Sequence, residues 1–342
     1  MQDSSSIAFN HKPNLKAYPI IYYTPETKFA FEGFAYLSWV AQGTERKSNV
    51  RFFAVYTQNK QRIFILPWQA YLKNEKMFLD GGFDFRRFPE YFYGIGNQTQ
   101  EDNRFLYDFT AFTFENKAFF KTYKNIFVGL NTQFLNLWPG DSNLLPAELK
   151  SGALGISEGY RFFGLGPSIL SDSRDQILSP TKGKYMEFSS QFGMGIMEER
   201  NINFIINKLD VRTFTSLNEK TIWANQFLAQ YSLGEVPFRS LPTLGGPYLH
   251  RGYYQGRFRD NHLLLIQSEI RRSITSRWGV VGFLSAGRVY AGKKDNLLRE
   301  IHPALGTGLR YQFNKNDKTN IRLDFSITPD SRGVYLFFAE AF

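Results

Sequence analysis

From Leu263 to the last residue the chain reads as five strand-like segments, and each keeps its apolar residues on one face. Between Leu263 and Ile274, Leu264, Ile266 and Ile270 share one face while Gln267, Glu269 and Arg271 share the other. Between Ile321 and Ile327, Ile321, Leu323, Phe325 and Ile327 face one way and Arg322, Asp324 and Ser326 the opposite way. A period of two places such sets on the two sides of a sheet. The final segment puts Val334, Leu336, Phe338 and Phe342 together, with Glu340 as the one exception near a rim. A basic residue on a lipid face costs about 2–4 kcal/mol at the membrane midplane, so the polar sets must face a lumen. An open sheet edge in hydrocarbon leaves backbone groups unpaired, so the sheet must close on itself. The expected fold class is all-β, a transmembrane antiparallel β-barrel.

Composition agrees with that class and removes its competitors. No run of about 18 apolar residues exists, which excludes a helical membrane protein. A barrel hides its apolar band in every second residue, so its mean hydropathy stays low. The 35 Phe, 19 Tyr and 5 Trp suit aromatic girdles at the two membrane interfaces. The net charge of +10 comes from basic residues scattered singly or in pairs, such as Arg86-Arg87 and Arg271-Arg272. A nucleic-acid binder clusters them on one face, so no nucleic-acid partner is expected. Rim lysines and arginines facing anionic head groups are the preferred reading. There is no cysteine, which fits an oxidising compartment. The polar start Met1-Gln2-Asp3-Ser4-Ser5-Ser6 is not a signal peptide, so the chain reads as a mature form after export.

Residues 1–17 read as a short polar tail and 18–342 as the barrel. Tyr18–Tyr23 turns at Thr24-Pro25-Glu26-Thr27 into Lys28–Val40, and Asn49–Thr57 turns at Asn59-Lys60 into Gln61–Leu72. Tight turns alternate with longer polar connections, the pattern of periplasmic turns and outer loops. Sixteen strands allow 342/16, about 21 residues for each strand with its connection, where a membrane strand needs about 9–11.

One longer connection carries Leu244-Gly-Gly-Pro-Tyr-Leu-His-Arg-Gly-Tyr253, an arginine set among glycines and aromatics. Other motifs follow a fixed order along the chain: Tyr93-Gly-Ile-Gly-Asn97; Gly164-Leu-Gly-Pro167 with Asp172-Ser-Arg174-Asp175 and Pro180-Thr-Lys-Gly183; Gly306-Thr-Gly-Leu-Arg310; and Arg322-Leu-Asp324. Together these resemble the barrel of the BamA/TamA superfamily, the bacterial surface-antigen type of outer-membrane protein, from about Tyr18 to Phe342. The resemblance implies that Tyr93–Asn97 is an early-strand motif and that Asp172, Arg174 and Asp175 belong to a central signature. It also implies that Gly245 and Gly246 belong to a loop folded into the lumen. That loop would place Arg251, Gly252 and Tyr253 against acidic residues of the wall, with Glu269 as the matching partner. The family's Phe-x-Asp-x-Gly is here Phe283-Leu-Ser-Ala-Gly287, so Ser285 stands at the acidic position and Asp324 is expected to supply the second carboxylate. Phe338 and Phe342 would form the C-terminal strand signal. Family members carry POTRA modules before the barrel. Strand patterns beginning near Tyr18 leave no room for one here, so the chain reads as a barrel-only member or has that part on another chain.

The resemblance implies assembly, insertion or translocation of outer-membrane or surface components through a lateral seam, with no chemistry catalysed. The expected location is the outer membrane of a Gram-negative bacterium. The expected partners are its lipids, lipopolysaccharide included, and outer-membrane proteins or lipoproteins. A passive pore, a partner-docking barrel and a phospholipase are the competing readings. The last rests on Gly155-Ile-Ser-Glu-Gly159, which fits G-x-S-x-G, yet a nucleophile elbow needs a helix after Ser157 and the following residues read as strand. The four histidines (His11, His250, His262, His302) lack metal-ligand spacing, and neither a metal nor a cofactor is expected.

Overall fold

Strand follows strand almost without pause along this chain. The computed structural model describes residues 13–44, 46–140, 154–176, 179–292, 299–314 and 319–342. The first five wall strands are β1 (Asn14–Thr24), β2 (Lys28–Val40), β3 (Lys47–Thr57), β4 (Arg62–Leu72) and β5 (Met77–Arg87). A small hairpin, β6 (Glu90–Phe92) and β7 (Phe105–Tyr107), interrupts the wall. The wall resumes with β8 (Phe109–Tyr123), β9 (Ile126–Pro139), β10 (Tyr160–Asp172), β11 (Gly183–Met197), β12 (Arg200–Asn218) and β13 (Thr221–Gly234). A second small sheet, β14 (Thr243–Leu244) with β15 (Phe258–Arg259), precedes β16 (His262–Ser273), β17 (Trp278–Tyr290), β18 (His302–Asn314), β19 (Thr319–Ile327) and β20 (Arg332–Phe338). The sixteen wall strands close into one antiparallel barrel, with β20 returning to β1. No helix among the described residues is long and apolar enough to cross a membrane.

The alternation works as its period requires. Ile266, Ile270, Leu284, Leu305, Phe325 and Ile327 stand exposed on the outer face, while Gln267, Glu269, Arg271, Arg322, Asp324 and Ser326 are buried inside. The strands joined by the long connections 88–108, 140–159, 235–261 and 291–301 all enter and leave them at one end of the barrel, which in such barrels is the extracellular end; the opposite end carries mostly short turns. The connection 173–182 is the long one at the turn end. Beneath the outer loops, Phe88, Phe92, Tyr107, Ile156, Val236, Phe238 and Leu241 pack with the wall residues Leu135, Phe162 and Phe204 into an apolar core. A wide lumen is thereby filled at its loop end by side chains that gain from leaving water.

Three expectations need correction. Strand β1 begins at Asn14, four residues before Tyr18, because Asn14–Ala17 pairs in register with Ala35–Ser38 of β2. Residues 1–12 of the expected tail lie outside the described residues. Tyr93–Asn97 is not a wall strand: it lies in the connection between β6 and β7, where Gly94 and Gly96 take φ of 97° and 119° and Gly96 bridges Arg259. Phe342 does not join Val334 on the outer face. The chain leaves the wall after Phe338, Ala339 adopts φ 63°, and Phe342 is buried with Phe214, Ala224 and Ala341. Inward carboxylate binding explains this turn, since Glu340 accepts from Arg310 Nε at 2.8 Å and Asn320 Nδ2 at 2.6 Å. The side chain of Phe338 lies outside the described residues.

Candidate functional site

The connection 235–261 turns back into the barrel, and its glycines make the turn possible. Gly245 and Gly246 have φ of 109° and 101°, and a Cβ on Gly245 would sit 1.9 Å from the Tyr254 carbonyl oxygen. That close approach lets the Gly246 N–H donate to the Tyr253 carbonyl at 2.9 Å, beside the two-residue pairing of β14 with β15. Gly252 has φ 116° and presents its N–H to the Tyr335 hydroxyl at 3.0 Å. Its carbonyl accepts from Ser331 Oγ at 2.5 Å. Farther along the loop, the Gln255 N–H donates to Glu26 Oε1 at 2.8 Å. Glu26 sits in the turn between β1 and β2, and burial pushes its carboxyl above the ordinary range. Inside the wall, Phe337 of β20 packs against both Tyr22 of β1 and loop residue Tyr248, with ring centroids 5.2 Å apart in each case.

Arg251 is 2% exposed, at the centre of this arrangement. Its Nη1 donates to Asp324 Oδ2 at 2.6 Å and its Nη2 to Glu269 Oε1. The guanidinium carbon also lies 3.6 Å from the centroid of the Phe283 ring. A guanidinium forks naturally between two carboxylates, and a stacked ring satisfies its face. Burial alone would lower the Arg251 pKa; Glu269 and Asp324 more than offset it and hold the group above its usual value. Ser285 takes a different partner from Arg251: its hydroxyl meets His250 Nδ1 at 2.9 Å. Burial, and then His302, push the His250 imidazole down to about 3. Tyr253 stacks on His250 and sends its hydroxyl to the Pro303 carbonyl at 3.2 Å.

Three arginines that the sequence did not assign to the Arg251 clamp belong to the same network. Arg271 Nε donates to Glu269 Oε2 at 2.8 Å, Arg310 Nη1 to Asp324 Oδ1 at 2.6 Å, and Arg322 Nη1 to Asp324 Oδ2 at 2.8 Å. Arg322 also holds the loop directly, through the Pro247 carbonyl at 2.8 Å. Face parity was the signal that could have found them: Arg322 and Asp324 share a face, as do Arg271 and Glu269. The remaining motif residues stand apart, at the turn end. There Arg174 forks onto Asp172 at 2.9 and 2.8 Å, while Asp175 accepts from the Thr181 N–H and hydroxyl at 2.9 and 2.5 Å. These bonds order the connection between β10 and β11. Ser157 donates to Glu198 at 2.8 Å and is followed by strand β10, so the helix of a nucleophile elbow is not there.

A family model described as the Omp85 superfamily domain matches residues 51–333. The chain belongs to the Omp85 superfamily. Among curated proteins none matches it. Among solved structures it is similar to BamA from Haemophilus ducreyi lacking POTRA domains 1–3, with TM-score 0.62 and 12% identity over 96% of this chain and 70% of that one. CdiB from Acinetobacter baumannii gives 0.61 and 12% over 96% and 60%, and CdiB from Escherichia coli 0.59 and 12% over 96% and 67%. The chain thus spans less than two thirds of the Acinetobacter structure's length. An Omp85 barrel with an apolar outer face and a polar, filled lumen is an outer-membrane protein of a Gram-negative bacterium.

The closure of this Omp85 barrel is uneven. Among the described residues a single position pairs between β1 and β20, Tyr23 opposite Leu336. Every other neighbouring pair of wall strands aligns over at least the six positions of β3 with β4, and β11 with β12 reaches fifteen. The short seam follows from the inward turn after Phe338, which removes the strand that would have continued along β1.

Proposed function

We propose that this Omp85 barrel assists assembly, insertion or translocation of outer-membrane or surface proteins or lipids, admitting them through the seam between β1 and β20, and that it catalyses no covalent chemistry. The observation that carries the reading is the seam with one paired position. Each backbone pair missing there removes about 1 kcal/mol net from the cost of parting the strands. A parted edge in a membrane needs a new strand to satisfy its donors and acceptors, and an extended segment does so by β-augmentation without a sequence-specific pocket. The BamA and CdiB barrels it resembles support the same class of task. Outer-membrane lipids, lipopolysaccharide among them, are the proposed surroundings, and outer-membrane proteins or lipoproteins the proposed substrates or partners. Arg251, with Glu269 and Asp324, is proposed as the staple that holds the lumen loop during this work.

The test is a cysteine pair replacing Tyr23 and Leu336, which face each other. Oxidation should lock the seam and stop insertion of a denatured outer-membrane barrel into vesicles containing the protein, and reduction should restore it. Full activity in the oxidised state would refute lateral entry and favour a pore or a docking platform.

A further inference from the structure

Strand β1 carries a proline, Pro19, in its middle, and the direction of its missing N–H can be worked out. The Gln58 N–H donates to the Phe29 carbonyl at 2.8 Å, so the backbone groups of Phe29 face β3. Backbone groups point to alternate sides along a strand. Ala30, Glu32 and Phe34 therefore face β1, and their partners Tyr22, Ile20 and Tyr18 face back at β2. The odd-numbered residues of β1 are left to face the seam, and Tyr23, the residue paired across it, is one of them. Below Tyr23 the seam edge thus offers Ile21, Pro19, Ala17 and Leu15, with no N–H at the second. A proline within a sheet is accommodated at an edge, at a strand's first residue or at a bulge, and the nitrogen of Pro19 faces the edge left unpaired at the seam. It is the local sequence, as well as the inward turn of β20, that leaves this edge open.

A strand continuing the register of Leu336 against Tyr23 would set its next positions opposite Ile21, Pro19 and Ala17. It would find donors at Ile21 and Ala17 and a gap between them. We propose that Pro19 divides the open edge of β1 into two short hydrogen-bonding segments, so that a strand arriving at the seam is held by an interrupted ladder and released again. This rests on the lateral-seam reading. A continuous ladder along β1 would turn an arriving strand into a permanent neighbour, as in any closed sheet.

The probe is a fluorescent synthetic peptide with the sequence of residues 332–342, which carries the required register. The whole chain in nanodiscs, with cysteine at Ile21 and a matching cysteine at the peptide position equivalent to Phe338, scores capture by disulfide formation. Dissociation of the uncrosslinked peptide is then timed for the wild type, Pro19→Ala and Pro19→Val, each verified as folded by its heat-dependent gel mobility. We expect capture in all three and about five-fold slower release from both variants, one restored backbone hydrogen bond. Capture with unchanged release would overturn the role of Pro19 and leave the seam reading standing. No capture in any of the three would overturn both.

Discussion

Replacing Arg251 with alanine should release the lumen loop while leaving the barrel folded. The size of the effect follows from what remains after the change. Breaking a buried ion pair typically costs about 3–5 kcal/mol, because one charge is left without a partner. Here neither carboxylate would be abandoned: Glu269 keeps Arg271, and Asp324 keeps Arg310 and Arg322. The ionic loss therefore falls near the bottom of that range, or about 2 kcal/mol after lumen water is allowed for. Losing the stack on Phe283 adds about 1 kcal/mol. A total of about 3 kcal/mol raises the population of the undocked loop about a hundred-fold. Amide exchange at Gly246 and Gly252 reads this directly, and single-channel recordings should show a new, larger conductance. Arg251→Lys, which reaches one carboxylate at a time, should fall between the two. The reasoning fails if Arg251→Ala exchanges within two-fold of wild type, or if the barrel itself loses its heat-dependent gel shift.

Further outcomes follow from the same geometry. Circular dichroism should show sheet with almost no helix, and unboiled samples should migrate apart from boiled ones; substantial helix would contradict the barrel. His250 has a folded pKa below its unfolded one, so the unfolded loop binds the extra proton. Loop stability should be complete above about pH 6.5 and decline as pH falls towards 3, and His250→Gln should flatten that decline in protease-protection assays. Gly245→Ala should prevent docking of the loop, since its Cβ would collide with the Tyr254 carbonyl at a backbone angle that alanine resists; normal protease protection would show the turn to be more yielding.

The parts of this fold that the sequence declared are those governed by local rules. Lys28–Val40 and Arg62–Leu72 emerge from tight turns, and parity alone turns Glu269, Arg322 and Asp324 inward. Arg251 was recognisable because it stands among glycines in a connection too long for a turn. What stayed hidden depends on distant partners. Phe342 continues the outward apolar series of its strand, and it is diverted inward by the bonds of Arg310 and Asn320 to Glu340 and of Arg271 to its own carbonyl. Tyr93–Asn97 has strand-like aromatics nearby, yet it docks on the lumen loop through the Gly96 N–H and the Arg259 carbonyl, 2.7 Å apart. Ser285 occupies the place of an acid in its motif, and its bond to His250 could not be read from spacing.

The lumen loop touches both banks of the seam: Gln255 is bonded to Glu26 beside β1, and Gly252 to Tyr335 on β20. A crosspiece fastened at both ends makes two events share one free energy. If parting the strands requires either bond to break, anything that loosens the loop eases the parting by the same factor. A strand wedged into the gap must in turn loosen the loop equally. Lever and door are then a single device, and it can be worked from the lumen or from the membrane.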